Sequence, residues 1–91
     1  MSMPSTRTVQ VLYFAGLREA LARERESVAL PETVATAGAL RAWLRERGEP
    51  YASALAEARA VRVAVDQALA AAGTPLRDGA EVAFFPPVTG G

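Results

Sequence analysis

The sequence predicts an α+β fold in which one helix packs across one side of a mixed β-sheet. Its 91 residues are enough for one small domain with a modest core. Short segments rich in β-branched and aromatic residues lie before and after a single long helical pattern, and no internal repeat is indicated. Because that helix has the only strongly apolar helical face, we expect it to lie on the sheet.

The first part of the chain is predicted to form two paired strands with a short helix between them. Residues 8–14 have the composition of a strand, which ends at Gly16. Residues 17–25 suit a short helix, and residues 26–30 are predicted to form the second strand, which stops at Pro31. Alternation along the first strand predicts one face with Val9, Val11 and Tyr13 and an opposite face with Gln10, Leu12 and Phe14.

Residues 36–47 are the clearest predicted helix. Its apolar side chains recur at helical spacing at Leu40, Trp43 and Leu44. Thr36 can cap its start, and Gly48 favours its end. Trp43 could stack against a ligand, but a large aromatic on an apolar helical face is better interpreted as a core residue.

The next segment is predicted to add a hairpin. Residues 51–60 are alanine-rich and favour a short helical turn. Residues 62–65 and 68–70 are predicted to be strands, joined by a turn at Asp66 and Gln67.

The last strand is predicted over residues 81–85, after a loop whose Leu76 is expected to enter the core. Its alternation predicts Val82 and Phe84 on one face and Ala83 and Phe85 on the other. Pro86 and Pro87 stop sheet pairing because neither has a backbone N–H to donate.

Composition excludes several classes of function. There is no histidine and no cysteine, so the commonest general base, the commonest metal ligand and side-chain thiolate chemistry are all missing. A free-standing enzyme is therefore disfavoured, and no bound cofactor or metal is expected. The net charge is zero and no basic cluster is present, so nucleic-acid binding is not expected.

The ends of the chain give no sign of export. Residues 1–8 lack the apolar region of a signal peptide, and no apolar run approaches the ~20 residues of a membrane span. We therefore expect a cytoplasmic protein that does not associate with membranes.

The carboxyl-terminal stretch is the strongest functional signal. After Pro86 and Pro87 the sequence continues through Val88 and Thr89 to a Gly-Gly pair. Six extended residues reach roughly 20 Å. Glycines without side chains could pass through a narrow channel and present the terminal carboxylate, which we expect to be that of Gly91, to another protein. Alternatively, the stretch is a frayed terminus that happens to end in glycines.

These motifs resemble one known family. The tail of residues 84–91, the Asp-Gly-Ala-Glu-Val-Ala approach at 78–83 and the opening Val-Leu-Tyr-Phe-Ala at 11–15 with Arg18 and Glu19 resemble the small subunit of molybdopterin synthase. The resemblance covers residues 9–91 and implies a ubiquitin-like β-grasp fold. It implies a mixed five-stranded sheet at 9–85, followed by an extended tail at 86–91. The family usually starts near Val9, so residues 1–8 depart from it, and we expect them to form a flexible arm.

The resemblance also implies a function, that of a sulfur carrier in molybdenum cofactor biosynthesis. An ATP-dependent activating enzyme would adenylate Gly91, and a sulfur donor would convert it to a thiocarboxylate. Pro86, Pro87, Val88, Thr89 and Gly90 would then insert into the synthase large subunit, where sulfur passes to precursor Z (cyclic pyranopterin monophosphate). The family assembles as a heterotetramer with large subunits at its centre.

A partner-binding surface is implied as well. The family's exposed apolar positions match Phe14, Leu69 and Phe85, which would contact the large subunit; alternatively, all three are ordinary core residues. Two other functions stay open at this point. One is a ubiquitin-like sulfur carrier for thiamine synthesis or tRNA thiolation, and the other is a protein modifier that is never thiolated.

Overall fold

A computed structural model describes residues 7–87 of the chain. Its strands and helices follow in the order β1 (Arg7–Tyr13), α1 (Ala15–Leu21), β2 (Arg25–Leu30), α2 (Ala37–Arg45), α3 (Tyr51–Ala54), β3 (Arg62–Val65), β4 (Ala68–Ala70) and β5 (Glu81–Phe85). They form a five-stranded sheet in the order β2-β1-β5-β3-β4. The central pair, β1 and β5, is parallel, and the other pairs are antiparallel. This mixed sheet with helices on it confirms the predicted fold class.

The core lies between one face of the sheet and the helices. The strand residues that it buries alternate as predicted, and they are Val9, Val11, Tyr13, Val28, Leu30, Val82 and Phe84. Leu40 and Leu44 of α2 pack against them, and Leu76 is buried from its loop as expected. Trp43 is half-buried and packs against the same cluster, which supports its interpretation as a core aromatic.

The predicted helix at residues 17–25 was wrong in its bounds. The helix begins at Ala15, because Phe14 is still extended, and it ends at Leu21. Ala22 then adopts a left-handed conformation, with φ of 52°, and its N–H caps the helix by donating to the carbonyls of Arg18 and Glu19. The arginine- and glutamate-rich residues that follow suit a helix by propensity, but pairing of β2 with β1 outweighs that preference.

The other elements lie close to their predicted positions. Thr36 caps α2 by accepting the Ala39 N–H at 3.2 Å. Asp66 and Gln67 form the tight turn between β3 and β4, and both have positive φ. The predicted helical turn at 51–60 is shorter than expected, ending at Ala54. The predicted arm at 1–8 is too long by two residues, because Arg7 and Thr8 already belong to β1 and pair with β2. Residues 1–6 lie outside the described residues, so their flexibility stays a prediction.

Gly38 allows α2 to approach the loop between β4 and β5. Its N–H donates to the Ala72 carbonyl at 2.8 Å, and a Cβ at this position would lie 2.9 Å from the Ala72 Cβ. We expect Gly38→Ala to lower the free energy of unfolding by about 1 kcal/mol or more, because steric strain exceeds the gain in helix propensity. Gly16→Ala is the matched control, since a Cβ there meets nothing within 4 Å. Urea unfolding of both variants measures their free energies of unfolding, and equal values for Gly38→Ala and Gly16→Ala would contradict the prediction.

Candidate functional site

One face of the sheet has no helix packed on it within residues 7–87. The strand register places a row of four apolar side chains across this face, one from each of four neighbouring strands: Leu12, Ala83, Ala64 and Leu69. Leu69 lies on the edge strand β4, and 67% of its surface is exposed. We call this side of the sheet the open face.

Two aromatic residues extend the apolar row toward the end of β5. Phe14 follows β1 in an extended conformation, and its N–H donates to the Phe84 carbonyl at 3.1 Å. This bond continues the pairing of β1 with β5, so Phe14 and Phe85 share the face opposite Phe84, as predicted. Phe14 is 47% exposed and Phe85 is half-buried. Neither is in the core cluster, which disfavours the alternative that these are ordinary core residues.

The tail leaves the sheet beside these aromatics. β5 lies between β1 and β3, so the chain continues into Pro86 from an interior strand. Pro86 lines a shallow groove with Gly16 and Ala20 of α1 and with Val61. Pro86 and Pro87 are both half-buried. The other predicted tail residues, Val88, Thr89, Gly90 and Gly91, lie outside the described residues, so their roles stay predictions.

A polar cluster supports the same end of the sheet from the helix side. The Glu26 side chain is only 8% exposed, and four donors surround it. The hydroxyls of Tyr13 and Tyr51 donate to it at 2.8 and 2.7 Å, and guanidinium groups of Arg47 and Arg23 donate at 2.9 and 3.1 Å. The cluster therefore ties β1, β2 and α3 together through one carboxylate.

The surroundings of Glu26 favour its charged form. Burial alone would raise the pKa of this carboxyl, but hydrogen bonds from Arg47, Tyr51 and Tyr13 outweigh burial and lower the pKa from its ordinary value of 4.5. For Tyr13 the two effects act together, because burial and the bond to Glu26 both raise the pKa of the phenol. At neutral pH the cluster therefore holds an ionised carboxylate and two protonated tyrosines.

Tyr13 connects this cluster to the base of the tail. Its ring stacks on Phe84, with centroids 6.4 Å apart and planes 15° from parallel, and Tyr51 meets it edge-on. Phe84 lies two residues before Pro86. The cluster therefore fixes the strand end from which the tail begins.

No group of three or more histidine, cysteine, aspartate or glutamate side chains in residues 7–87 could hold a metal ion. No helix in the same residues is long and apolar enough to cross a membrane.

Comparison with known proteins identifies the family. A model described as the ThiS family matches residues 11–91. The chain belongs to the ThiS family. Within that family, two curated relatives carry the name molybdopterin synthase sulfur carrier subunit. The relative from Haemophilus influenzae is 39% identical and that from Escherichia coli 41% identical over 83 residues, which span 91% of this chain and 99% of each relative. The resemblance predicted from the sequence is therefore confirmed.

A solved structure that is similar to this chain is part of a protein complex. It is a protein–protein complex of subunits 1 and 2 of the molybdopterin-converting factor from Helicobacter pylori. The matching chain is 27% identical, with a TM-score of 0.61, and the match covers 92% of this chain and 99% of that one. This likeness, together with the sheet topology, confirms the predicted β-grasp fold.

Sequence reasoning identified part of the site and missed part of it. Exposure of Phe14 and Leu69 agrees with their predicted role, although binding itself stays a prediction. Ala64 was not predicted to belong to the open face, although it follows from alternation once the strand order is known. The Glu26 cluster was missed entirely, because its members are scattered along the sequence and share no motif.

Proposed function

We propose that this chain is the sulfur carrier subunit of a molybdopterin synthase. The observation that carries the proposal is the similarity to two relatives of that name, which extends over 99% of each. The open apolar face beside the start of the tail supports it, because a carrier needs both a docking surface and a reactive group that reaches the partner.

In the proposed reaction the working group is the Gly91 α-carboxylate. A carboxylate is a poor acyl donor, so an ATP-dependent activating enzyme first adenylates it with loss of pyrophosphate. A sulfur donor then supplies the nucleophile that displaces AMP and leaves a thiocarboxylate. The sequence has no cysteine, so no side-chain thiol could carry the sulfur instead. The thiocarboxylate sulfur finally bonds to precursor Z, and water cleaves the bond between that sulfur and the Gly91 carbonyl carbon, which restores the carboxylate.

The proposed partner for that last step is the synthase large subunit. Phe14, Leu69 and Phe85 would contact it, and the tail from Pro86 to Gly91 would insert into its active site. The open face suits this role because large exposed apolar side chains on a small protein usually mark a docking surface. The complex of subunits 1 and 2 from the Helicobacter pylori relative supports an assembly of this kind.

Leu69→Glu is expected to weaken binding to a molybdopterin synthase large subunit by about 30-fold or more, as for loss of an interface hot spot. Its side chain is 67% exposed, so the free energy of unfolding should hardly change. Ala29→Glu is a matched control, because Ala29 is exposed on β2 at the same face but outside the apolar row. Isothermal titration calorimetry measures the dissociation constant of the large subunit for the wild-type protein and for both variants.

Two results would count against this assignment. If the wild-type protein fails to bind a functional large subunit, the proposed function is wrong. If Leu69→Glu and Ala29→Glu bind equally well, the protein docks through a different surface.

A further inference from the structure

The open face carries charge as well as apolar surface, and the charge is unevenly distributed. Arg25 pairs with Leu12 across β2 and β1, and Arg62 pairs with Phe85 across β3 and β5. These pairings put both arginines on the open face. Arg25 continues the apolar row beyond Leu12, and Arg62 lies beside Phe85, two residues closer to the tail. Across the sheet they are about three strand spacings apart, or roughly 14 Å.

Both arginines lie at the end of the sheet where the tail begins. Arg25 opens β2 and Arg62 opens β3, and these strands run antiparallel to β1 and β5. Arg62 is therefore level with Phe85, the last residue of β5, and Arg25 is level with Leu12, the next-to-last residue of β1. Both side chains are exposed, and neither forms an ion pair within residues 7–87. Their charges are available to a partner.

The opposite end of the open face carries negative charge. Glu81 pairs with Gln10 at the start of β5, and Asp66 lies beside it at the β3–β4 turn. The Asp66 carboxylate accepts the Glu81 N–H at 3.0 Å, which holds the two residues together. The positive charges therefore lie level with the apolar row and on its tail side, whereas the negative charges lie on the far side of the row.

We propose that this polarity orients docking, so that the partner presents carboxylates around the entrance that receives the tail. This inference rests on the proposed function and specifies the partner's chemistry: an apolar strip with acidic groups at the tail end and basic groups at the far end. Docked the other way round, the partner's acidic groups would meet Glu81 and Asp66. Charges at the rim of an interface mainly steer encounter, so they act on the association rate constant.

The test measures association kinetics with a molybdopterin synthase large subunit by stopped-flow fluorescence. Arg25→Glu and Arg62→Glu are each expected to lower the association rate constant roughly tenfold at low ionic strength. Arg25→Gln and Arg62→Gln should give intermediate values. Near 1 M salt, where the screening length falls to about 3 Å, the differences should largely disappear.

Arg45→Glu provides the matched control. Arg45 is on α2, on the other side of the sheet, and its reversal changes the net charge by the same amount. It should associate at close to the wild-type rate. Thermal unfolding confirms that each variant is folded.

The outcomes separate the two proposals. If the wild-type protein binds but the Arg25 and Arg62 reversals associate as fast as Arg45→Glu, the orientation by charge is wrong and the carrier function stands. If the wild-type protein does not bind a functional large subunit, the carrier function is wrong, and the inference falls with it.

Discussion

Deletion of Gly91 is expected to abolish sulfur transfer to precursor Z while leaving the protein folded. The shortened chain would present the Gly90 carboxylate one residue short of the catalytic groups of its partners, a displacement of about 3.3 Å. Misplacing a reacting atom by even 1 Å can lower a rate about 100-fold. Adding one residue after Gly91 should have the same effect, because it moves the carboxylate in the opposite direction. The measurement is molybdopterin formation by the reconstituted synthase.

The control removes one residue from the other end of the chain. Deletion of Ser2 shortens the protein equally but lies far from the tail in sequence, so transfer should be unchanged. Circular dichroism of both variants should match the wild type. Full sulfur transfer by the protein lacking Gly91 would show that the terminal residue is not the working group.

The largest expected loss of stability comes from Glu26→Ala. Removing one partner from a buried charged cluster typically costs roughly 3–5 kcal/mol. We expect about 2–3 kcal/mol here, because Arg23 and Arg47 are partly exposed and can turn to water. Tyr13 is buried and would lose the acceptor for its hydroxyl. Urea unfolding at pH 7 measures the difference in the free energy of unfolding between the wild-type protein and Glu26→Ala.

The pH dependence of this difference follows from the lowered pKa of Glu26. A carboxyl whose pKa is lower in the folded state contributes stability above its unfolded pKa and loses it as pH falls through the folded value. The gap between wild type and Glu26→Ala should therefore be full at pH 7 and should shrink below about pH 4.5.

Glu24→Ala is the control that separates the effect of losing a buried carboxylate from the effect of losing a negative charge. Glu24 lies just before β2, its side chain is 69% exposed, and its contact with Arg18 is 4.0 Å long. Its removal should cost less than about 1 kcal/mol. If Glu24→Ala and Glu26→Ala destabilise equally, the Glu26 cluster does not contribute as described.

The sequence was sufficient for the parts of the fold that depend on alternation and helical spacing. The buried faces of β1 and β5 and the apolar face of α2 have these periods, so their burial could be predicted residue by residue. Phe14 and Phe85 could be assigned to one face for the same reason. Leu69 reaches the same face only through the strand order, which periodicity does not give. Its assignment to the partner-binding surface came from family resemblance.

The features that were predicted wrongly or missed depend on contacts between residues far apart in the sequence. The end of α1 is decided by pairing of β2 with β1, which outweighs a favourable local helix propensity. Glu26 is 25 residues from Tyr51 and 21 from Arg47, so only the packed structure brings them together. Nothing in the spacing of these residues indicates a shared carboxylate.

The central claim is that the Gly91 carboxylate carries sulfur. Intact-mass spectrometry of the full-length protein, after incubation with its activating enzyme, ATP and a sulfur donor, tests it most directly. We expect a gain equal to the mass difference between sulfur and oxygen, located in the carboxyl-terminal peptide and absent when ATP is omitted. No gain in the presence of an active enzyme, or Gly91 found only in isopeptide linkage to other proteins, would contradict it.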